Sequence, residues 1–257
     1  MRIIVFDSGV GGLSVARAIR TAMPGAAITY LADTAVFPYG ALEPDVLTER
    51  VVSLMERLAP GEAPVAVVIA CNTASTLVLP PLRAMLSMPV VGTVPAIKPA
   101  AETSRSRLVS VLATPATVRR DYTRALIAEH GQDCRFTLVG ARLLAGLVER
   151  QFNGETIADR DFAHEIAPCF VEEAGARTDT VVLACTHYPL VVERLNRVAP
   201  WPVAFIDPAP AIARRVLAVT VGAAPRPGPN RFLATGPAPS AETLSRFGFP
   251  PAEPWPG

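Results

Sequence analysis

Short runs of apolar, mostly β-branched residues alternate along the chain with longer stretches in which apolar residues recur at helical spacing. The predicted strands are residues 3–6, 28–32, 66–70, 90–91, 108–113, 136–139 and 180–184. The predicted helices are residues 12–22, 44–58, 117–130, 159–174 and 190–198. Strands that alternate with helices are typical of parallel sheets covered on both faces, so the pattern predicts a doubly wound α/β fold.

A weak internal repeat divides the chain. Residues 67–73 read VVIACNT and residues 181–187 read VVLACTH, so each is an apolar strand that ends in Ala, Cys and two polar residues. The repeat predicts two similar, mainly parallel domains that face one cleft. Gly and Pro residues near 91–99 and 206–210 predict the boundaries. The first domain is then residues 1–94 plus 208–257, and the second is residues 95–207.

The tail after Thr220 is rich in Pro and Gly but still contains a strand candidate at 231–235 and a helix candidate at 241–247. We expect this tail to pack back on the first domain.

Composition favours a globular protein with a small-molecule partner. Of the 257 residues, 50% are apolar and 18% charged, and the net charge is +1. This balance argues against a nucleic-acid partner. No apolar run approaches the roughly 20 residues that span a bilayer, and the first run is too short for a signal peptide. We expect a cytoplasmic protein, away from membranes, whose four cysteines are reduced thiols rather than two disulfides.

The sequence gives little support for a pyridoxal phosphate site or for a dinucleotide site. Lys98, the only lysine, lies in a predicted loop between Pro95 and Pro99, which argues against a Schiff base with pyridoxal phosphate. The glycines after the first strand match a dinucleotide fingerprint only in part, because Ser14 occupies the third glycine position. Such a turn can still bind an anion.

Cys71 and Cys185 each follow a predicted strand and precede a polar pair. A thiol near a helix N-terminus has its thiolate stabilised by the helix dipole, so either sulfur could act as a base. The alternative is a pair of structural cysteines. His187 is close enough in sequence to tune Cys185 or to donate a proton. Zinc ligation by these three residues is a further alternative, although paired Cys-x-x-Cys spacing is absent.

Polar residues also follow the first two strands. Asp7 and Ser8 open the glycine-rich turn, where Asp7 could cap a helix, hold an ammonium group or orient the proton partner of a thiol. Tyr39 and Gly40, after Pro38, form a turn whose backbone amides could bind a carboxylate, although Tyr39 could equally contribute packing alone.

These motifs together resemble the glutamate racemases of the aspartate/glutamate racemase family. The resemblance runs from residue 6 to about residue 190. It is carried by FDSGVGGL at residues 6–13, ADT at 32–34 with PYG at 38–40, ACNTA at 70–74 and ACTHYPL at 184–190.

The resemblance implies a cleft between two α/β domains, no cofactor, no metal, and a thiolate and a thiol on opposite faces of bound glutamate. Cys71 and Cys185 would be the bases, assisted by Asp7 and His187, with Glu149 close to His187. The implied substrate-binding residues are Asp7, Ser8, Tyr39, Gly40, Asn72, Thr73, Thr117, Thr186 and His187. It further implies a homodimer that supplies D-glutamate for peptidoglycan synthesis.

Two segments depart from the family pattern. Ala116 replaces a common glycine in the loop that contains Thr117, and residues 92–96 lack the usual acid. Fold and chemistry should survive both differences. A related racemase that acts on aspartate or a hydantoin, with the same paired thiols and a different carboxylate pocket, is an alternative. A non-catalytic protein whose two lobes close on an amino acid is another, but binding would not require a thiol on each lobe.

Overall fold

The computed structural model describes residues 1–224 and 228–256, which form two α/β domains with parallel sheets. The strands are β1 (Arg2–Asp7), β2 (Ala27–Ala32), β3 (Ala66–Ile69), β4 (Val90–Gly92), β5 (Leu108–Ala113), β6 (Arg135–Gly140), β7 (Glu172–Glu173), β8 (Ala176–Arg177), β9 (Thr180–Ala184), β10 (Ala204–Ile206), β11 (Arg231–Ala234) and β12 (Glu253–Pro254). The α-helices are α1 (Leu13–Ala22), α2 (Pro44–Glu62), α3 (Asn72–Met85), α4 (Ile97–Thr103), α5 (Pro115–Arg119), α6 (Asp121–His130), α7 (Leu144–Phe152), α8 (Asp159–Ile166), α9 (Val192–Val198), α10 (Ala209–Val219) and α11 (Ala241–Arg246).

The two main sheets are parallel throughout. The first has the strand order β12-β11-β2-β1-β3-β4, and the second has the order β10-β9-β5-β6. In the tail, β11 pairs with β2, so this part of the chain packs on the first sheet. The boundaries after residues 94 and 207 stay a prediction.

Helices cover both faces of the first sheet. Alternate residues of β1 point to opposite sides: Ile3 and Val5 join a core with α1 and α10, whereas Ile4 and Phe6 join a core with α2 and α3. Strands buried on both faces read as continuous apolar runs, which is why the sequence pattern located them. The predicted doubly wound fold is confirmed. None of the helices in residues 1–224 and 228–256 is long and apolar enough to cross a bilayer.

The predicted helix at 159–174 is wrong in its second half. Helix α8 ends at Ile166, a short 3-10 helix follows over Ala167–Cys169, and β7 and β8 then form an antiparallel hairpin. Pro168 has no amide hydrogen to continue the ladder, which favours the break at this point.

The predicted helix at 117–130 is two helices. Arg120 has an extended backbone between α5 and α6. The Arg120 amide and, at 3.0 Å, the Thr123 hydroxyl both donate to the carbonyl of Thr117, which joins the start of α6 to the end of α5.

Three helices that contain proline, α3, α4 and α10, were not predicted from the sequence pattern. Lys98 and Pro99 lie in the first turn of α4 rather than in a loop, so the loop prediction is wrong. Proline is tolerated there because the first amides of a helix have no intrahelical acceptor. Helix α10 likewise starts with prolines, and α3 contains Pro80 and Pro81. The pattern also missed α7, which contributes Glu149 to the site described next.

Candidate active site

The ends of strands from both sheets meet at a cavity of about 20 Å³. It is lined by Ser8, Phe37, Pro38, Tyr39, Gly40, Cys71, Asn72, Thr73, Thr114, Ala145, Cys185, Thr186 and His187. Both strand-end cysteines therefore reach one cavity, Cys71 from the first domain and Cys185 from the second. All four cysteines are free thiols.

Cys71 lies between β3 and α3 with 6% of its surface exposed. Its sulfur is 3.7 Å from the hydroxyl of Ser8. Burial and the negative charge of Asp7 raise the pKa of the Cys71 thiol to about 12, despite hydrogen bonds from the Ala74 amide and Ser8 that favour the thiolate. The start of α3 does favour the Cys71 thiolate through the Ala74 amide, as expected, but burial and the charge of Asp7 outweigh that contribution.

Cys185 follows β9 and has a basic neighbour. Its sulfur lies 3.7 Å from Nδ1 of His187, and Nε2 of that ring lies 2.7 Å from Oε1 of Glu149. Burial disfavours the imidazolium, but hydrogen bonds to Cys185 and Glu149 raise the pKa of His187 well above its usual value. The His187 ring thus lies between the Cys185 sulfur and the Glu149 carboxylate.

Asp7 ends β1 and is fully buried. Its Oδ1 accepts the Gly9 amide at 2.9 Å, and its Oδ2 accepts the Thr186 hydroxyl of the second domain at 2.8 Å. Burial raises the pKa of Asp7 to about 6, although the charge of His187 and these hydrogen bonds oppose the shift. A carboxyl group that titrates near neutral pH is suited to proton exchange.

The glycine-rich turn binds an anion that belongs to the protein itself. The amide of Val10 donates to Oε1 of Glu149 at 2.6 Å. A Cβ at Gly9 would lie 1.8 Å from that same oxygen, and one at Gly11 would lie 2.5 Å from the Thr186 hydroxyl. The glycines are therefore required for close approach of the second domain, which accounts for them without a nucleotide.

Two polar groups in the first domain complete the cavity wall. Both side-chain polar atoms of Asn72 are buried without a hydrogen-bond partner. The hydroxyl of Thr73 lies 3.1 Å from that of Thr114 and 3.3 Å from that of Thr117. Buried polar atoms rarely stay unpaired, so the Asn72 amide is a natural contact for a polar ligand.

Comparison with known proteins identifies the family. Residues 13–216 match the family described as Asp/Glu/Hydantoin racemase. The chain belongs to this family. A glutamate racemase of Brucella anthropi is 56% identical over 218 residues, which are 84% of this chain and 78% of that protein. A glutamate racemase of Mesorhizobium japonicum is 54% identical over 218 residues, covering 84% and 83% of the two chains.

Solved structures agree with this assignment. Escherichia coli glutamate racemase, in a complex with L-glutamate and the activator UDP-MurNAc-ala, superposes with a TM-score of 0.91 at 38% identity, over 98% of this chain and 97% of that one. This member of the racemase family is therefore an isomerase with the two-domain fold of its solved relatives.

The racemase fold brings the predicted site residues together in two layers. Ser8, Tyr39, Gly40, Cys71, Asn72, Thr73, Cys185, Thr186 and His187 line the cavity. Asp7, Thr117 and Glu149 lie behind that layer, each hydrogen-bonded to a lining residue. That each of them serves the reaction stays a prediction.

The sequence pattern missed Phe37, Pro38, Thr114 and Ala145 among the lining residues. Pro38 and Thr114 lie within motifs that resemble the family. Their proximity in sequence to Tyr39 and Thr117 could therefore have identified them as lining residues. Ala145 is on the missed helix α7 and carries no chemical signature. Among residues 1–224 and 228–256, no group of three His, Cys, Asp or Glu side chains is arranged to hold a metal ion.

Proposed function

We propose that this chain interconverts L- and D-glutamate without a cofactor, with Cys71 and Cys185 acting as bases from opposite faces of the substrate. The observation that carries the proposal is that two buried thiols from different domains line one cavity. Each has its own proton partner nearby, Asp7 for Cys71 and His187 for Cys185. A protein that only binds an amino acid needs neither.

For L-glutamate, Cys185 is the base. The imidazolium of His187, held by Glu149, stabilises negative charge on the Cys185 sulfur. This thiolate takes the α-proton and leaves a carbanion. Cys71, a thiol because its pKa is about 12, donates its proton to the opposite face, which yields D-glutamate.

For D-glutamate the roles reverse, and Cys71 must first lose its proton. Asp7 is the group suited to take part in that transfer, because its pKa of about 6 lets it alternate between carboxylate and acid near neutral pH. Cys71 then removes the α-proton and Cys185 returns one from its thiol. Each turnover leaves the enzyme ready for the opposite isomer.

The substrate contacts follow from the remaining polar groups. The unpaired amide of Asn72 can donate to the α-carboxylate, and the hydroxyls of Ser8, Thr73 and Thr186 can donate alongside it. A cavity of about 20 Å³ holds little more than one water molecule. Substrate entry therefore requires the two domains to separate, which breaks the Glu149 to Val10 and Thr186 to Asp7 hydrogen bonds.

Glutamate is favoured over aspartate or a hydantoin because the two curated relatives at 56% and 54% identity are glutamate racemases. We also propose that the enzyme is a cytoplasmic homodimer that supplies D-glutamate for peptidoglycan. Rescue of a D-glutamate auxotroph tests the cellular role. Gel filtration with light scattering tests the oligomeric state.

The direct test is incubation of the purified protein with L- or D-glutamate in deuterated water, with a chelator and hydroxylamine present. We expect the optical signal to decay to zero from either isomer, and the product isomer to carry α-deuterium. Inhibition by hydroxylamine would indicate a carbonyl cofactor, and inhibition by the chelator a metal. The same assay on aspartate tests the alternative substrate.

A further inference from the structure

One short segment contributes a large part of the cavity wall. We call residues Phe37, Pro38, Tyr39 and Gly40 the cavity loop; all four line the cavity. The loop lies in the connection from β2 to α2, which contains two short 3-10 helices, Thr34–Val36 and Tyr39–Ala41. Such short helices have few internal hydrogen bonds, so the position of the loop depends on contacts with neighbouring elements.

Tyr39 is the residue that anchors the cavity loop. Its ring is buried with 2% of its surface exposed and lies 6.1 Å from the ring of Phe6 between centroids. Its hydroxyl donates to Oδ2 of Asp33 at 2.5 Å. The phenol hydroxyl is therefore held by a buried carboxylate.

Asp33 follows β2 and is fully buried. Its carboxylate accepts hydrogen bonds from the cavity loop, from α2 and from the residue after β11. Arg50 of α2 donates to both carboxylate oxygens, from Nε at 2.5 Å and from Nη2 at 2.6 Å. Thr235, just after β11, donates to Oδ1 at 2.6 Å. Burial opposes ionisation, but the hydrogen bonds from Arg50, Thr235 and Tyr39 outweigh it and lower the pKa of Asp33.

We propose that Arg50 is a positioning residue for the racemase reaction: through Asp33 it fixes Tyr39 and hence the cavity loop against the substrate. Arg50 touches neither thiol and does not line the cavity. A bidentate guanidinium holds a carboxylate in one orientation, which a point charge cannot do as well. Without it, Asp33 would be a buried carboxylate supported by two hydroxyl groups, and the Tyr39 anchor would weaken.

The kinetic part of the experiment rests on the proposed function and compares Arg50→Ala and Arg50→Lys with Arg231→Ala. Arg231 is a matched control because it is similarly half-buried in the same domain but pairs with Glu62 and Glu253 rather than with Asp33. For Arg50→Ala we expect KM for both isomers to rise about tenfold with a smaller change in kcat, and Arg50→Lys to recover part of the loss. Arg231→Ala should leave KM unchanged even if it lowers the melting temperature.

A second variant separates positioning from simple destabilisation. Tyr39→Phe removes only the hydroxyl that links the loop to Asp33, and we expect KM to rise about threefold. Combined with Arg50→Ala it should add little, because both changes break one chain of contacts. Additive effects, or an equal rise of KM in Arg231→Ala, would overturn the proposal.

A readout without turnover completes the test. Iodoacetamide labelling of Cys71, followed by peptide mass spectrometry without substrate, should be about fivefold faster in Arg50→Ala than in the wild type. Arg231→Ala should match the wild type. Equal labelling in all three proteins contradicts the role of Arg50. If labelling separates the variants while the wild type fails to racemise glutamate, the proposed function is wrong and the positioning role stands.

Discussion

The two cysteine segments share their backbone setting and differ in what surrounds the sulfur. Cys71 and Cys185 both follow a buried parallel strand and open onto the same cavity. Beyond that point the symmetry ends. The polar side chain after Cys71, Asn72, has no protein partner. The two after Cys185 are bound by carboxylates, Thr186 by Asp7 and His187 by Glu149.

A two-base racemase must place two bases at one substrate and must control which of them is protonated. The repeated strand places one sulfur from each domain at the same cavity, which the proposed two-base reaction requires. The groups around them are unequal, with a carboxyl group near Cys71 and the His187 ring next to Cys185, and in the proposed mechanism this inequality decides which sulfur acts as base for each isomer. Because L- and D-glutamate have equal free energies, kcat/KM must be equal in both directions for any variant. The asymmetry must therefore be sought in half-reactions.

The largest effect should come from removing either sulfur. Cys71→Ser and Cys185→Ser should each lower racemisation by at least about 10³-fold, because a serine hydroxyl is far less acidic than a thiol. Given an analogue whose leaving group departs as the α-proton is removed, Cys71→Ser should eliminate only from the L-isomer and Cys185→Ser only from the D-isomer. Rates are read from product formation with each pure enantiomer.

Cys134→Ser is the matched control for these variants. Cys134 is half-buried, and its sulfur lies 3.7 Å from the carbonyl of Ala101, far from the cavity lining. It should racemise at the wild-type rate. If both active-site variants retained the same enantiomer preference, the opposed-thiol mechanism would be wrong.

The next largest effect tests the charge next to Cys185. Glu149→Gln keeps the shape and the Val10 contact but removes the negative charge that holds His187 protonated. We expect kcat/KM to fall about 10²-fold in both directions. Elimination from the L-analogue should fall more than elimination from the D-analogue, because the former uses Cys185.

Glu165→Gln is the control for that change. Glu165 also accepts two backbone amides in the second domain, those of Leu143 and Leu144 at 2.8 and 3.1 Å, but it has no histidine partner. A similar loss of activity in Glu165→Gln would mean that Glu149 acts only by holding the fold.

Site residues could be predicted from the sequence where a chemically distinctive residue type follows a recognisable strand. The thiols, Asp7 and His187 could be found because strand ends collect ligands in parallel sheets and their residue types are chemically distinctive. The protonation of Cys71 could not, since burial and the charge of Asp7 arise only after folding. From the residues alone nothing linked Glu149 to Val10, and only the family resemblance put it near His187.

Elements of the fold were likewise predicted where a local sequence pattern was recognised and missed where it was not. Apolar runs marked every main-sheet strand except β10 and β12. Strand β12 is only Glu253–Pro254, whereas β10 ends an apolar run at residues 203–206 that was overlooked. Helices α4 and α10 were missed because proline was taken as a loop signal, although it is compatible with a first helical turn. The pairing of β11 with β2 depends on long-range packing that no local pattern contains.

A smaller effect should appear in the pH dependence of stability around Cys71. The folded-state pKa of Asp7, about 6, lies above the usual aspartate value of 3.8. The folded protein therefore binds a proton more tightly than the unfolded chain, and the stability this provides is lost as the pH rises from about 4 through 6. Asp7→Asn should raise the free energy of unfolding by up to about 3 kcal/mol at pH 7.5 and by little at pH 4.

Asp179 is a control because its pKa is shifted in the opposite direction to that of Asp7. Hydrogen bonds from Ser106, Ser104, Thr180 and Arg105 outweigh burial and lower the pKa of Asp179. Asp179→Asn should therefore destabilise the protein at neutral pH and less in acid. Urea titrations at both pH values measure each change. If Asp7→Asn is no more stable than the wild type at pH 7.5, the Asp7 carboxylate is not strained by burial, and its role as a proton acceptor for Cys71 loses its physical basis.

The smallest expected effect concerns the hydroxyl groups on the Cys71 side, where the family resemblance points to Thr117 but Thr114 lines the cavity. Thr117 is 1% exposed and lies 3.0 Å from the Thr114 hydroxyl. Thr117→Val leaves the Thr73 to Thr114 contact of 3.1 Å intact, so KM should rise by no more than about threefold. Thr114→Val removes a lining hydroxyl and should raise KM about tenfold.

Thr114→Val also removes the side chain that caps α5, since its hydroxyl accepts the Thr117 amide at 3.2 Å. A lost cap destabilises a helix by about 1 kcal/mol, so the melting temperature should fall along with substrate affinity. Thr114→Ser keeps both the cap and the hydroxyl, and it should restore KM and stability together. A rise of KM in Thr117→Val as large as that in Thr114→Val would show that Thr117 reaches the substrate once the domains move. The residue implied by the family resemblance, rather than the lining residue, would then be the contact on the Cys71 side.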